Sequence, residues 1–225
     1  MIPWQEIDRA EIPGGEGEVI LRRRGTEFSI RTATTELMNS RLHGSEEALA
    51  ELTCKRLQHL SEVKMLIGGL GMGYTLAAAL AHSKPEARLS VCELVPAVVR
   101  WNREHLGHLA GRPLDDPRVS VLEGDIATFI REKKAFWDAI LLDVDNGPEG
   151  LTRDTNDSLY GNTGLKRAFS ALRPNGILAV WSYGPDEGFT RRLEKCKFTT
   201  ETLSVRARKT GKGRRHTIWL AKKIS

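Results

Sequence analysis

Long apolar runs are missing from this chain of 225 residues. None reaches the roughly 18 residues that a membrane-crossing helix needs, and the opening MIPWQEIDRAE has neither the basic start nor the apolar stretch of a secretory leader. No membrane partner is expected, and the expected location is the cytoplasm. Cysteine is scarce too. Cys54, Cys92 and Cys196 are odd in number, widely spaced and outside any CxxC pattern, which argues against a disulfide framework and against a zinc site. His105 and His108 lie three apart with no third ligand placed near them, so no metal is expected. There is no internal repeat and no low-complexity linker.

Charge of one sign is also nearly balanced, with a formal net charge of +5. The excess gathers in RRR at 22–24 and in VRARKTGKGRRH at 205–216. Basic segments of this kind can bind nucleic acid. Neither carries the interleaved aromatics of a single-strand platform, so both are read as solvated hairpin edges, where Lys and Arg discourage strand-to-strand association. Trp101, Trp137, Trp181 and Trp219 fall in separate segments and are expected to pack in the core.

A hydrophobic content of 40% suits one well-covered domain with a small extension. GEVILRRRGTEFSIRTAT predicts two short strands around Gly25. SEEALAELTCKRLQHL predicts a helix, with Ser45 as cap, Glu46 and Glu47 at its positive end, and Leu49, Leu52, Leu57 and Leu60 at near-helical spacing. From Val63 onward, VKMLIG, ARLSVCEL, RVSVLEG, WDAILLDV and GILAVWSY alternate with helical runs starting near Tyr74, Val95, Ile126, Thr163 and Asp186. That alternation predicts a doubly wound parallel sheet, and the last stretch adds two long strands around KTGKG. The expected fold is α/β, a Rossmann-like seven-stranded sheet ending in an antiparallel hairpin, with a short N-terminal β-hairpin and helix. Residues 1–43 form the extension and residues 44–225 the nucleoside-binding domain.

The first strand of that domain runs into MLIGGLGMGYTL, with four glycines at 68, 69, 71 and 73. A ligand across this turn would meet backbone amides and a helix N-terminus. Tyr74 stands where a dinucleotide fingerprint wants its third glycine or alanine, which disfavours NAD. Glu93, about 20 residues on at the end of the second strand, is placed to accept hydrogen bonds from a ribose diol. In EGDI, Asp125 can accept from an adenine amino group and Ile126 offers an amide and an apolar edge; Asp125 can equally cap the helix that follows. Loop, Glu93 and Asp125 in this order imply an adenosine nucleoside without phosphates.

With GGLGMG, CEL, DPRVSVLEGD and ILLDVDNGPEG in this order, the chain resembles the spermidine synthase group within the class I S-adenosylmethionine-dependent methyltransferase fold. The resemblance implies a transferase that binds S-adenosylmethionine or its decarboxylated form through Gly69, Gly71, Gly73, Glu93, Asp125 and Ile126. It implies an amine acceptor, with Asp143 taking the proton the nucleophile must lose and Asp145 holding a second ammonium. Two departures fall at the acceptor end. DVDNGP replaces the usual DSSDP, and SEEALAEL places Leu49 and Ala50 where the family has polar residues, so a pocket poorer in polar contacts is expected. A methyltransferase on a small molecule or RNA, and a non-catalytic nucleoside-binding relative, are the other two expectations. Nucleic acid is the less favoured partner, and the assembly is left between monomer and homodimer.

Overall fold

Leu66, Ile67, Ile140, Leu141 and Leu178 are fully shielded from solvent, as strands buried on both faces of a parallel sheet must be. In the computed structural model, which describes residues 2–15, 17–144, 147–148, 158–207 and 213–224, these residues occupy the middle of a seven-stranded sheet. Its strands are β5 (Lys64–Gly68), β6 (Arg88–Glu93), β7 (Val119–Glu123), β8 (Trp137–Leu142), β9 (Leu172–Ser182), β10 (Phe198–Arg206) and β11 (Arg215–Lys223). They lie in the order β10-β11-β9-β8-β5-β6-β7. The pairs from β7 to β9 are parallel, whereas β11 runs antiparallel to both β9 and β10.

The chain first winds outward through β5, β6 and β7, then returns to place β8 on the other side of β5. Between those neighbours the crossovers diverge and leave a crevice at the strands' C-terminal ends, where open α/β sheets take their ligands. Helices α1 (Gly44–Leu57), α2 (Tyr74–His82), α3 (Pro96–Trp101), α4 (Ile126–Arg131), α5 (Asn162–Ala171) and α6 (Glu187–Lys195) cover the sheet. Asp125 caps α4 by accepting from the Ala127 amide, and Asp186 caps α6 by accepting from Phe189.

The N-terminal extension carries more structure than the hairpin expected of it. It is a four-stranded antiparallel sheet of β1 (Gln5–Glu11), β2 (Glu18–Arg24), β3 (Glu27–Arg31) and β4 (Glu36–Asn39). Its Val19, Leu21, Phe28 and Ile30 join the same apolar cluster as Leu49, Met72 and Val98. The RRR stretch lies on β2, which is flanked by β1 and β3, so it is not a sheet edge. There Arg23 donates to the Gly25 carbonyl and Arg24 pairs with Glu27. The other basic segment does flank the edge strand β10, and Arg208, Lys209 and Lys212 lie outside the described residues.

Three further expectations change. α1 starts at Gly44 after His43, so Ser45 sits inside the first turn rather than capping it. His105 and His108 fall on a π turn and a 3₁₀ turn after α3, not on one regular helix. Leu49 and Ala50 are wholly buried in the core beneath α1. The three cysteines are free and buried, and no described helix is long and apolar enough to cross a membrane.

Asp138 ties the central strands together. Buried in β8, it accepts from the Lys64 amide on β5 at 2.7 Å and pairs with Arg173 on β9 at 3.1 Å. Asp138→Ala would leave a buried amide and a guanidinium without partners. We expect it to lower unfolding free energy by about 1–3 kcal/mol, read from urea denaturation; an unchanged midpoint would show that water replaces both contacts.

Candidate active site

Positive φ angles explain three of the four loop glycines: Gly69 at 85°, Gly71 at 51° and Gly73 at 84°, a region L side chains rarely enter. Close approach of the protein itself adds to this. A Cβ on Gly69 would stand 2.2 Å from the Asp143 carbonyl oxygen, one on Gly71 2.7 Å from the Met38 sulfur, and one on Gly68 2.3 Å from Ile126. The Met72 amide, inside the same loop, donates to that Met38 sulfur at 3.1 Å. Thus β4 of the N-terminal sheet rests on the glycine loop.

Beside the loop opens a cavity of about 260 Å³. Gly69, Gly71, Glu93, Asp125, Ile126 and Asp143 all line it, so six positions singled out in the sequence converge. Gly73 does not line it; it precedes α2 and faces Pro113 and Asn102. Asp145 lies outside the described residues. Leu94, Val95, Val98 and Val144 supply apolar walls, and Ile12, Val19, Ile30, Leu37 and Met38 of the N-terminal sheet and its loops close the other side.

Glu93, at the end of β6, is 8% exposed. Its two carboxyl oxygens accept the Leu70 and Val95 amides, each at 2.9 Å. Those bonds fix the carboxyl at the cavity wall, and the Gly71 and Leu94 amides also favour its ionised form. Burial pushes its pKa up, while the amides pull it down.

Asp143 follows β8, its amide donating to the Gly68 carbonyl across the switch point. The cavity reaches its carboxyl, yet the group lies deep enough that lost hydration raises its pKa to about 6, with the Thr75 hydroxyl, donating at 2.5 Å, working the other way. Opposite stands Glu46, on the first turn of α1, also lining the cavity. Burial first and the negative charge of Asp143 second raise the Glu46 carboxyl to about 7. Each of the two keeps one hydroxyl donor, Thr75 for Asp143 and Ser45 for Glu46, and burial raises both. Thr75 also links the pair sterically, its hydroxyl lying 3.3 Å from the Glu46 carbonyl oxygen.

The wall expected to lack polar contacts therefore carries a carboxyl. Leu49 and Ala50 face the core, and Glu46 faces the cavity. A signal for this lay in the sequence: Glu46 precedes Leu49 by three and Ala50 by four, so it shares their face of the helix. Ser45 and His216 were missed as well. Their contact spans 171 positions, beyond any local pattern.

Among the described lining residues the charges are Glu46, Glu93, Asp125 and Asp143, with no Lys, Arg or His. A crevice at the switch point of a Rossmann-like sheet, lined by carboxylates, is the place where open α/β folds take their ligands. The chain belongs to the Spermine/spermidine synthase domain family, which matches residues 42–188. It is 33% identical over 118 residues to putrescine N-methyltransferase 2 of Nicotiana attenuata, covering 52% of this chain and 30% of that protein. It is 31% identical over 128 residues to polyamine aminopropyltransferase 2 of Pseudomonas aeruginosa, covering 55% of this chain and 34% of that one. The chain thus matches about a third of these relatives' lengths. In fold it is similar to spermidine synthase from Thermotoga maritima, with a TM-score of 0.76 at 20% identity, over 97% of this chain and 72% of that one.

The raised Glu46 carboxyl has a consequence for stability. A carboxyl whose folded pKa exceeds its unfolded value binds its proton more tightly when folded, so stability falls as pH rises from about 4.5 towards about 7. Glu46→Gln removes that loss. We expect the melting temperature of the native chain to decline through this window more than that of E46Q, leaving E46Q the more stable at pH 8; parallel melting curves would exclude the buried charge.

Proposed function

We propose that the chain is a transferase that moves an alkyl group from an adenosyl sulfonium to an amine, with residues 44–225 forming the nucleoside-binding domain and residues 1–43 an extension that walls the cavity. The observation that carries this reading is the wholly acidic set of charged lining residues beside the glycine loop. It suits two cations, a sulfonium donor and an ammonium acceptor, and it disfavours an anion. A donor bearing an amino-acid carboxylate would set that carboxylate among four acidic groups. The decarboxylated sulfonium is therefore the favoured donor, and aminopropyl transfer the favoured reaction. Methyl transfer, for which the Nicotiana attenuata relative is named, is the second reading.

The donor, when bound, supplies an electrophilic carbon next to a positively charged sulfur. Glu93, fixed at the cavity wall, is proposed to hold the ribose. Asp125 and Ile126 are proposed to meet the base, while Gly69 and Gly71 let the nucleoside lie against the backbone. Asp143 takes the proton of the attacking amine. Its raised pKa suits that task better than a fully hydrated carboxylate would, since proton transfer is most efficient when the acceptor's pKa approaches the working pH. Asp145 is proposed to attract a second ammonium. The acceptor is proposed to be an amine of the polyamine type. A nucleic-acid substrate at the C-terminal hairpin is the less favoured reading.

Calorimetry with S-adenosylmethionine, its decarboxylated form and methylthioadenosine separates the donors. The decarboxylated form is expected to bind more tightly than S-adenosylmethionine; the reverse order would move the assignment to methyl transfer, and no binding by any of the three would end it. Asp143→Asn is expected to cut turnover by about 10²- to 10⁴-fold with nucleoside affinity nearly unchanged. Undiminished turnover would remove Asp143 from the chemistry.

A further inference from the structure

Ser45 is fully buried, and its hydroxyl oxygen touches two groups that titrate. It donates to Glu46 Oε2 at 2.5 Å and lies 2.8 Å from Nδ1 of His216. His216 sits on β11 with 9% of its surface exposed. Its ring packs edge-on against Trp181, a cavity-lining residue, at 4.8 Å, and stacks on Tyr183 at 5.3 Å. Arg214 lies over the Tyr183 ring at 4.4 Å. Burial, with Arg214 second, lowers the basicity of His216 and keeps the ring neutral near pH 7.

A serine hydroxyl has one proton to give, and a neutral imidazole has one as well. If Ser45 donates to Glu46, its oxygen must be the acceptor for His216, so Nδ1 carries the imidazole proton. If instead Nε2 carries it, Ser45 must donate to Nδ1, and its oxygen can then accept only from a protonated Glu46. One hydroxyl thus locks the histidine tautomer to the charge of the carboxyl. We propose that His216 is a positioning residue which, through Ser45, holds Glu46 ionised and so gives the cavity its affinity for a cationic amine.

This rests on the reading of the cavity as an amine site. Ser45 is the side chain that donates to Glu46, whose own backbone amide also favours the ionised form. Asp143 and Glu47 carry the same sign as Glu46 and oppose its ionisation. His43 lies 3.2 Å from Glu47 rather than on Glu46 and stacks on Tyr74. Tyr74, raised to about 12 by burial and by Glu47 and Glu46, stays neutral. Arg214 lies over the Tyr183 ring and disfavours a proton on His216.

The first test needs no variant and no substrate. Two-bond ¹⁵N couplings in the histidine-labelled full chain at pH 8 are expected to report His216 as the Nδ1–H tautomer; the Nε2–H tautomer at that pH overturns the proposal. The second test measures binding of 1,4-diaminobutane by calorimetry from pH 6 to pH 9. Affinity should rise with pH as Glu46 ionises. In Ser45→Ala and His216→Phe the rise should move upward by about one pH unit or more, the effect of losing a hydrogen bond to a charged group. Ser45→Thr, which keeps the hydroxyl, should restore the native profile, and Glu46→Gln should flatten it. Superimposable profiles in the native chain and Ser45→Ala overturn the proposal. If 1,4-diaminobutane fails to bind the native chain, the amine reading falls, and the tautomer alone decides whether His216 holds Glu46 ionised.

Discussion

Glu46 and Asp143 face one cavity with no opposing cation among the described residues that line it, and most of the site can be understood from that crowding. Two carboxyls removed from water repel each other and lose hydration together, so one of them holds its proton more tightly than a free acid would. The neighbouring hydroxyls limit this penalty without removing it. Thr75 gives its proton to Asp143 and Ser45 gives its proton to Glu46. A site of this kind lowers the stability of the empty protein and recovers the loss when a cation enters, which is how strained charge is retained at functional positions.

The two carboxyls come from unrelated parts of the chain, and the sheet is what brings them together. β8 lies beside β5 because the chain crosses back after β7, and that return sets Asp143 against the glycine loop. α1 packs over β9, β8 and α2 through Leu49, Ala50 and Leu57. Burying that apolar stripe turns Glu46 inward at the helix's first turn. The loop between β5 and α2 must then pass under Met38 and over the Asp143 carbonyl, and only glycine at 69 and 71 leaves room with φ positive. The glycines thus serve the packing of the protein as well as the exposure of backbone to the cavity.

Relatives of this chain include a protein named for methyl transfer and one named for aminopropyl transfer, two reactions that attack different carbons bonded to a sulfonium sulfur. On the proposed reading, what separates them is the fate of one carboxylate on the donor. The sign of the charges around the donor's tail, rather than the glycine loop or Glu93, then decides the reaction. The N-terminal sheet enters the same argument from another side, because its Ile12, Val19, Ile30 and Leu37 keep that part of the cavity apolar and so strengthen each charge interaction within it.

Local pattern was enough to read much of the molecule. Continuous apolar runs ending in glycine or acid announced the parallel strands, and the spacing from the loop to Glu93 and Asp125 placed the ends of β6 and β7 side by side. Asp143 was legible because a strand as apolar as WDAILL can end in an acid only where the sheet opens. What local pattern could not supply was contact at long range. The N-terminal strands β1 and β4, with exposure patterns mostly open to solvent, lack the alternation that marks a half-buried strand and exist because β2 and β3 give them hydrogen-bonding partners. Leu49 and Ala50 were identified correctly as apolar, yet which way they faced depended on α1 docking onto the sheet. Sequence alone determined the order of elements from Val63 onward and the crevice, since both follow from hydrophobic period and turn chemistry. Only the tertiary structure decided that Glu46 confronts Asp143 and that His216 reaches Ser45, because side-chain charge acts through a few ångströms of space and those partners are joined by no local rule.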